Sequence, residues 1–233
     1  MRTSHYIELV GLPGSGKTEA AKILLAELQT KRIGVQMRNP LNANLYVKTY
    51  IVLKMLWLLC KHPSLIRLWL SPIADEYTKT PHIRSVVRNM RYRLIAESVI
   101  VSYKMRKKDT IFINDEGIFG RVVALLTLLQ INYEYAERLL SILLPQETQI
   151  IQIVTSPENA LKRERARHIE LPFFNDMEDS VKSMFFVGGA QQYQQLLARL
   201  SDCPVPNISY VNNNGGRRIL VENVRQFVKT LNF

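Results

Sequence analysis

The sequence predicts a three-layer α/β fold, a parallel five-stranded sheet between helices, and two observations carry that expectation. Short apolar runs alternate with helix-period segments along the chain, and a glycine-rich loop joins the first run to the first helix. The first run is Tyr6-Ile-Glu-Leu-Val10, and residues 18–29 then carry Ala21, Leu24, Leu25 and Leu28 at helical spacing. Further strand-like runs lie at 33–37, at 110–115 behind the polar Lys107-Lys-Asp109, at 149–154, and at 208–211 before the turn Asn212-Asn-Asn-Gly-Gly216. Strands separated by helices pair in parallel, because a parallel pair needs a crossover rather than a tight turn.

Between the second and third runs, residues 44–60 and 81–105 have helical patterns, so a helical insertion is expected at about 41–108. In the later helix Ile83, Val87, Met90, Leu94 and Val101 form a core-facing stripe, with Arg84, Arg88 and Arg91 recurring beside it. The pair Gly188-Gly189 reads as the joint between two C-terminal helices. No internal repeat or long linker interrupts the chain, and 233 residues fit one domain spanning 1–233.

Lys and Arg number 31 against 20 Asp and Glu, a net charge of +11, which favours polyanionic partners: nucleotides, sugar phosphates, nucleic acid or an anionic membrane surface. Cys60 and Cys203 have neither disulfide-framework nor zinc spacing, consistent with a reducing cytosol, and His5, His62, His82 and His168 share no metal or triad spacing. The N-terminus runs straight into a strand, so no signal peptide is expected and the expected location is cytoplasmic. The most apolar stretch, 49–60, is interrupted by Lys54 and is shorter than the about 20 residues of a membrane span. Residues 44–70 combine Trp57, Trp69 and many leucines with Lys48, Lys54, Lys61 and Arg67. Core packing is the blander reading of that stretch, and peripheral contact with a membrane surface is the second.

Gly11-Leu-Pro-Gly-Ser-Gly-Lys-Thr18 matches G-x-x-x-x-G-K-[ST] between a strand and a helix. In such a loop the glycines turn backbone N–H groups inward around phosphates, and the positive end of the helix faces the same point. Gly11, Pro13, Gly14, Ser15, Gly16, Lys17 and Thr18 are therefore candidate nucleotide contacts, with Lys17 on the β- and γ-phosphates and Thr18 on Mg²⁺. ATP and Mg²⁺ are the implied cofactors. Asp115 ends the third run, where an acid would complete the Mg²⁺ shell opposite Thr18. Glu116 follows as a candidate base, and adjacency does not decide which carboxylate does which work. Ser156-Pro157-Glu158 starts a helix bearing Arg163 and Arg167 on one face, a pair suited to clamp a transferring phosphoryl group, in a lid segment at about 156–172. Arg38 stands at the carboxyl end of the second run, where ligands meet parallel sheets.

These residues resemble the thymidylate-kinase-like branch of the P-loop nucleoside monophosphate kinases. Met37-Arg38-Asn39-Pro40 is similar to that family's Thr-Arg-Glu-Pro acceptor segment, and residues 157–167 resemble its lid. Arg91 or Arg93 falls near the family's acceptor-binding helix arginine, while Asn213 with Gly215 resembles the loop beside the adenine. The resemblance implies a P-loop NTPase fold with strand order 2-3-1-4-5. Where thymidylate kinases carry Asp-Arg-Tyr, this chain has Asp115-Glu116-Gly117, similar to P-loop kinase-like proteins of bacterial surface-polysaccharide synthesis. The expected activity is ATP-dependent phosphoryl transfer to a small, anionic acceptor, with a sugar or sugar phosphate ahead of a nucleoside monophosphate. The substrate-binding candidates are Arg38, Arg84, Arg88, Arg91 and Arg93. The rival expectations are an ATP-binding switch or scaffold without transferase activity, and a nucleic-acid-binding ATPase. The second lacks an interleaved aromatic and basic surface.

Overall fold

A computed structural model describes residues 5–31, 34–37, 45–80, 82–106, 110–166, 177–201 and 207–230. Five strands, β1 (His5–Val10), β2 (Val35–Met37), β3 (Ile111–Asn114), β4 (Thr148–Val154) and β5 (Asn207–Asn212), form one sheet in the order β2-β3-β1-β4-β5. Every pairing is parallel, with Ile7 opposite Ile113 on one side and opposite Gln149 on the other. This is the sheet expected for a P-loop fold. The order puts β1 at the centre, so its carboxyl end and the loop that follows it sit where the connections diverge to opposite faces.

Strand alternation sorts β1 between two cores. Ile7 and Leu9 face α1 (Lys17–Thr30) and the C-terminal helix Arg217–Thr230, packing on Ala21, Leu24, Leu220 and Val224. Tyr6 and Val10 face a larger core with Phe112 and Ile150. That core also takes in α3 (Ser64–Leu70), α4 (Ile83–Lys104), α5 (Ile118–Leu128), α6 (Tyr133–Leu143) and the long helix Asp179–Ser201. The helix Pro157–Arg165 is α7, Asp179–Ser201 is α8 and Arg217–Thr230 is α9. Tyr6 and Phe112 stack with ring centroids 5.9 Å apart across the β1–β3 pair. Burying a ring of that size contributes about 1.5–3 kcal/mol.

Between β2 and β3 stand α2 (Leu45–Lys61), α3, a short 3₁₀ turn at Asp75–Tyr77 and α4. Met55 of α2 packs on Ile95 and Val99 of α4 in a small separate core. Extended chain at Ile73 bridges Leu129, and the Ala74 N–H donates to the Leu128 carbonyl at 2.9 Å, tying the insertion to the end of α5.

The Gly188-Gly189 pair does not join two helices, because α8 runs through it without a break. Added side chains there would stand 3.8 Å from Thr127 Cγ2 and 3.2 Å from Leu12 Cδ2. The glycines mark a close approach of α8 to α5 and to the glycine-rich loop, not a turn.

Candidate functional site

The glycine-rich loop closes over the carboxyl end of β1. Gly14 (φ +74°) and Gly16 (φ +95°) occupy the left-handed region that side chains disfavour. Space forbids a side chain as well: a Cβ on Gly14 would overlap the Ala160 carbonyl of α7, and one on Gly16 would meet Asn213 Nδ2 at 2.5 Å. Helix α1 begins at Lys17 with no side-chain cap, so its first-turn N–H groups present their partial positive charge to the loop's interior. Lys17 Nζ donates to the Gly11 and Leu12 carbonyls at 2.9 and 2.8 Å, inside the same ring.

Residues behind the loop hold its shape. The Ser15 carbonyl accepts from Asn213 Nδ2 at 2.6 Å and from Thr155 Oγ1 at 3.3 Å. The Asn213 N–H donates to Val154 O at 2.8 Å, and Arg163 donates to the Asn213 carbonyl at 2.9 Å. Ser15 and Asn213 are both buried. The structure therefore places Ser15, Asn213 and Arg163 in the support of the loop: Asn213 reaches its back, and the guanidinium of Arg163 is tied to the β5–α9 connection.

At the open side Thr18 Oγ1 donates to Asp115 Oδ2 at 2.7 Å, joining the first turn of α1 to the end of β3. Glu116 projects further, its side chain 57% exposed. Arg121, on the first turns of α5, donates to the Glu116 carbonyl at 3.1 Å and brings its guanidinium to 3.8 Å from Glu116 Oε2. Loop, acids and helices enclose a cavity of about 440 Å³. Its phosphate-loop end is formed by Gly11, Gly14, Gly16, Lys17 and Thr18, with Pro13 beside them. Asp115, Glu116 and Arg121 form one wall, and Val86, Asn89, Met90 and Arg93 of α4 form the facing one. Val123, Phe185 and Tyr193 make it apolar beyond the acids.

The structure divides the arginines singled out on α4. Arg93 lines the cavity, one helical turn past Asn89 and Met90. Arg84 and Arg88 are exposed and do not line it. Arg91 turns away, donating to the Trp69 and Ser71 carbonyls at 3.1 and 2.6 Å, with burial lowering the pKa of its guanidinium. The reason is helical phase. Residues 84, 88 and 91 share a stripe, but the stripe that meets the loop is 86, 89, 90 and 93. Arg38 and Arg167 lie outside the described residues.

Under the cavity floor lies a polar cluster that sequence reasoning missed. Glu8 is fully buried on β1, accepting from the Gly120 N–H at 3.0 Å and from the Tyr6 hydroxyl at 3.1 Å. Asn114 Nδ2 reaches Tyr6 Oη at 3.2 Å and Glu97 Oε1 of α4 at 2.9 Å, while Asn114 Oδ1 accepts from the Glu116 N–H at 3.2 Å. Desolvation by burial raises the Glu8 pKa to about 7, against the pull of the N–H groups of Gly120 and Phe119. Burial likewise pushes the Tyr193 phenol far up, with the Glu8 charge adding to it, and Tyr193 hydrogen-bonds the backbone at Gly11. An acid in the middle of an apolar strand was the visible signal for Glu8. Arg121 had a weaker one, a basic residue one turn into the helix that follows the acidic strand end.

No protein-family model matches the sequence. No curated protein is similar enough in sequence to count as a relative. The sheet and the glycine-rich loop after its central strand define a P-loop α/β fold, and solved structures are similar to it. Deoxyadenosine kinase from M. mycoides with bound dATP superposes with a TM-score of 0.53 at 14% identity, over 96% of this chain and 97% of that one. The same enzyme with bound dCTP gives 0.51 at 14% identity, over 97% and 100%. Shikimate kinase from Bacteroides thetaiotaomicron gives 0.45 at 13% identity, over 97% and 96%.

Proposed function

We propose that this chain is a Mg-ATP-dependent kinase that phosphorylates a hydroxyl group of a small acceptor bound between α4 and α5. One observation carries the reading: a single cavity runs from the phosphate loop, past Asp115 and Glu116, to Arg93 and an apolar slot. Donor and acceptor would thus meet beside two carboxylates, an arrangement that supplies positioning and charge stabilisation for phosphoryl transfer.

The loop's inward-facing amides and Lys17 suit a polyphosphate, whose oxygens would replace the Gly11 and Leu12 carbonyls as partners of the ammonium. Thr18 and Asp115 fit Mg²⁺, since they are oxygen donors already in contact and include a single carboxylate, as suits an ion that keeps several waters. Bound there, the ion would neutralise charge on the phosphate oxygens. Glu116 is the base in this reading: it takes the hydroxyl proton while the acceptor oxygen takes the phosphoryl group and ADP leaves. Arg121 holds the Glu116 backbone in place, and Arg93 meets the polar or anionic end of the acceptor.

The apolar slot bears on the acceptor class. Val86, Met90, Val123 and Phe185 offer faces for a ring, which a bare polyol would not use. A nucleoside or another hydroxyl-bearing ring therefore stands ahead of the free sugar or sugar phosphate suggested by Asp115-Glu116-Gly117, and the need for a base at Glu116 is kept. The likeness to deoxyadenosine kinase points the same way. The test is a panel of nucleosides, nucleoside monophosphates, sugars and sugar phosphates with labelled ATP. Transfer to a hydroxyl acceptor, lost in Glu116→Gln, supports the reading. Transfer only to monophosphates, or to nothing, overturns it.

A further inference from the structure

Helix α2 is apolar on both sides. Met55 faces α4 in the small core, with Ile51, Leu58 and Leu59 packed against it. The opposite side carries Val52, Leu53, Leu56, Trp57 and Cys60, which at 100° per residue fall within an arc of about 140°. These side chains protrude: Leu53 is 61% exposed, Leu56 54% and Trp57 49%. On α3, Ile66 and Leu70 continue the exposed apolar surface at 48% and 78%. An apolar ridge of this kind is unusual on a surface that meets only water.

The charged side chains that α2 and α3 themselves carry are all basic. Lys54 and Lys61 follow Trp57 on the same edge of the arc, their ammonium groups 4.4 and 4.9 Å from its ring centroid. Arg106 lies over Tyr50 at 5.5 Å and donates to its hydroxyl. From Glu27 to Asp75 the chain contains no acidic residue, while seven Lys and Arg residues occur between them.

We infer that the exposed face of α2 and α3 docks on an anionic lipid bilayer, with the leucines and Trp57 inserted and the lysines at headgroup level. Charge complementarity selects this occupant. A second copy of the chain meeting the same face by a two-fold axis would set lysine against lysine, with no carboxylate on either helix to pair them. A convex ridge of protruding side chains also suits a fluid acyl layer, whereas a rigid partner would need a matching groove. The lysines lie along the indole with their charged ends free to reach outward, as at interfacial helices. None of the described helices is long and apolar enough to cross a membrane, so α2 lies on the surface. The inference is independent of the kinase reading.

The experiment floats the full chain with vesicles of phosphatidylcholine alone or with added phosphatidylglycerol at low salt, and records tryptophan emission. Flotation with a blue shift only when phosphatidylglycerol is present is expected. Leu53→Ser with Leu56→Ser removes both at an unchanged melting temperature, the residues being exposed. Lys54→Ala with Lys61→Ala, a second variant that leaves the apolar face intact, weakens binding about five-fold per lysine. Absence of flotation overturns the inference, as does equal flotation with phosphatidylcholine alone. Flotation undiminished in the leucine variant would mean diffuse attraction of the whole +11 chain and would also overturn it. So would a dimer in sedimentation that the leucine variant dissolves.

Discussion

The carboxylate of Glu8 fills the space that a side chain at position 117 would need: a Cβ on Gly117 would overlap Glu8 Cδ and stand within 2.6 Å of both carboxylate oxygens. The glycine of Asp115-Glu116-Gly117 thus has a physical cause in a residue more than a hundred positions away. Glu8 also accepts from the Gly120 N–H, so one buried acid sets where β3 hands over to α5, and with it where Asp115 and Glu116 point.

Gly117→Ala should therefore destabilise the fold by about 1–3 kcal/mol, the usual range for overpacking, and lower phosphoryl transfer by shifting both acids. Glu8→Ala removes the obstruction at the expense of two lost hydrogen bonds. Denaturant unfolding of the two single variants and the double variant checks the relation: the double should lose clearly less than the sum. Strict additivity would mean that the two residues do not press on one another.

Stability should also fall with rising pH in a window set by Glu8. Burial raises its pKa from 4.5 to about 7 in the fold. Between those values the folded chain keeps a proton that the unfolded chain has released. The contribution is fully present below about 4.5, declines through the window and is gone above about 7, a change on the order of 3 kcal/mol. The groups facing Glu8 are Tyr6, Tyr193 and Glu97, with the N–H groups of Phe119 and Gly120. Glu8→Gln should flatten the curve. Urea midpoints of both proteins at about pH 4.5 and about pH 8 measure this difference.

Asp115→Asn and Glu116→Gln should separate. Asp115 touches Thr18, so its amide variant should need more Mg²⁺ for half-maximal turnover with little change at saturation. Glu116→Gln should lower kcat by roughly 100-fold or more, with ATP affinity nearly unchanged. Titration of Mg²⁺ and single-turnover kinetics decide. If both variants respond alike, the assignment of one acid to metal and the other to base fails.

Lys17→Ala should abolish turnover while the protein still melts cooperatively, because the ammonium faces the cavity beside the Gly11 and Leu12 carbonyls and not the apolar core. Calorimetric titration with an ATP analogue should show lost affinity. Full retained turnover would remove the phosphate loop from the mechanism.

The parts of the architecture that were legible in sequence are those where chemistry leaves few alternatives. The loop needs glycine at Gly14 and Gly16, and each strand announces itself as a short apolar run, so the sheet was readable, while its order came from the family resemblance. Glycines 188 and 189 misled because smallness serves close packing as well as turning, and only the contact with Leu12 and Thr127 tells which. Glu8 went unassigned because the groups that face it come from α4, α5 and α8, which no local pattern joins. The arginines of α4 show a third limit: periodicity gives the stripes of a helix, but the neighbour that each stripe meets depends on how the helix is seated.

That seating leads to the last contrast, between Arg91 and Arg93. Arg91 bonds the carbonyls of Trp69 and Ser71 at the end of α3. Arg91→Ala leaves those acceptors without their charged donor and should lower stability by about 1–3 kcal/mol, with the acceptor KM unchanged once the protein is folded. Arg93 is exposed along the cavity wall, so Arg93→Ala should leave the melting temperature within a degree or two, since surface changes rarely exceed about 0.5 kcal/mol. Its acceptor KM should rise about ten-fold or more, the loss expected for one charged contact to a bound ligand. Arg93→Lys should recover part of that loss if charge is what the acceptor reads. Melting curves beside steady-state kinetics for the three variants test the division. An Arg93→Ala enzyme with unaltered KM for every phosphorylated acceptor would show that the acceptor binds elsewhere in the cavity.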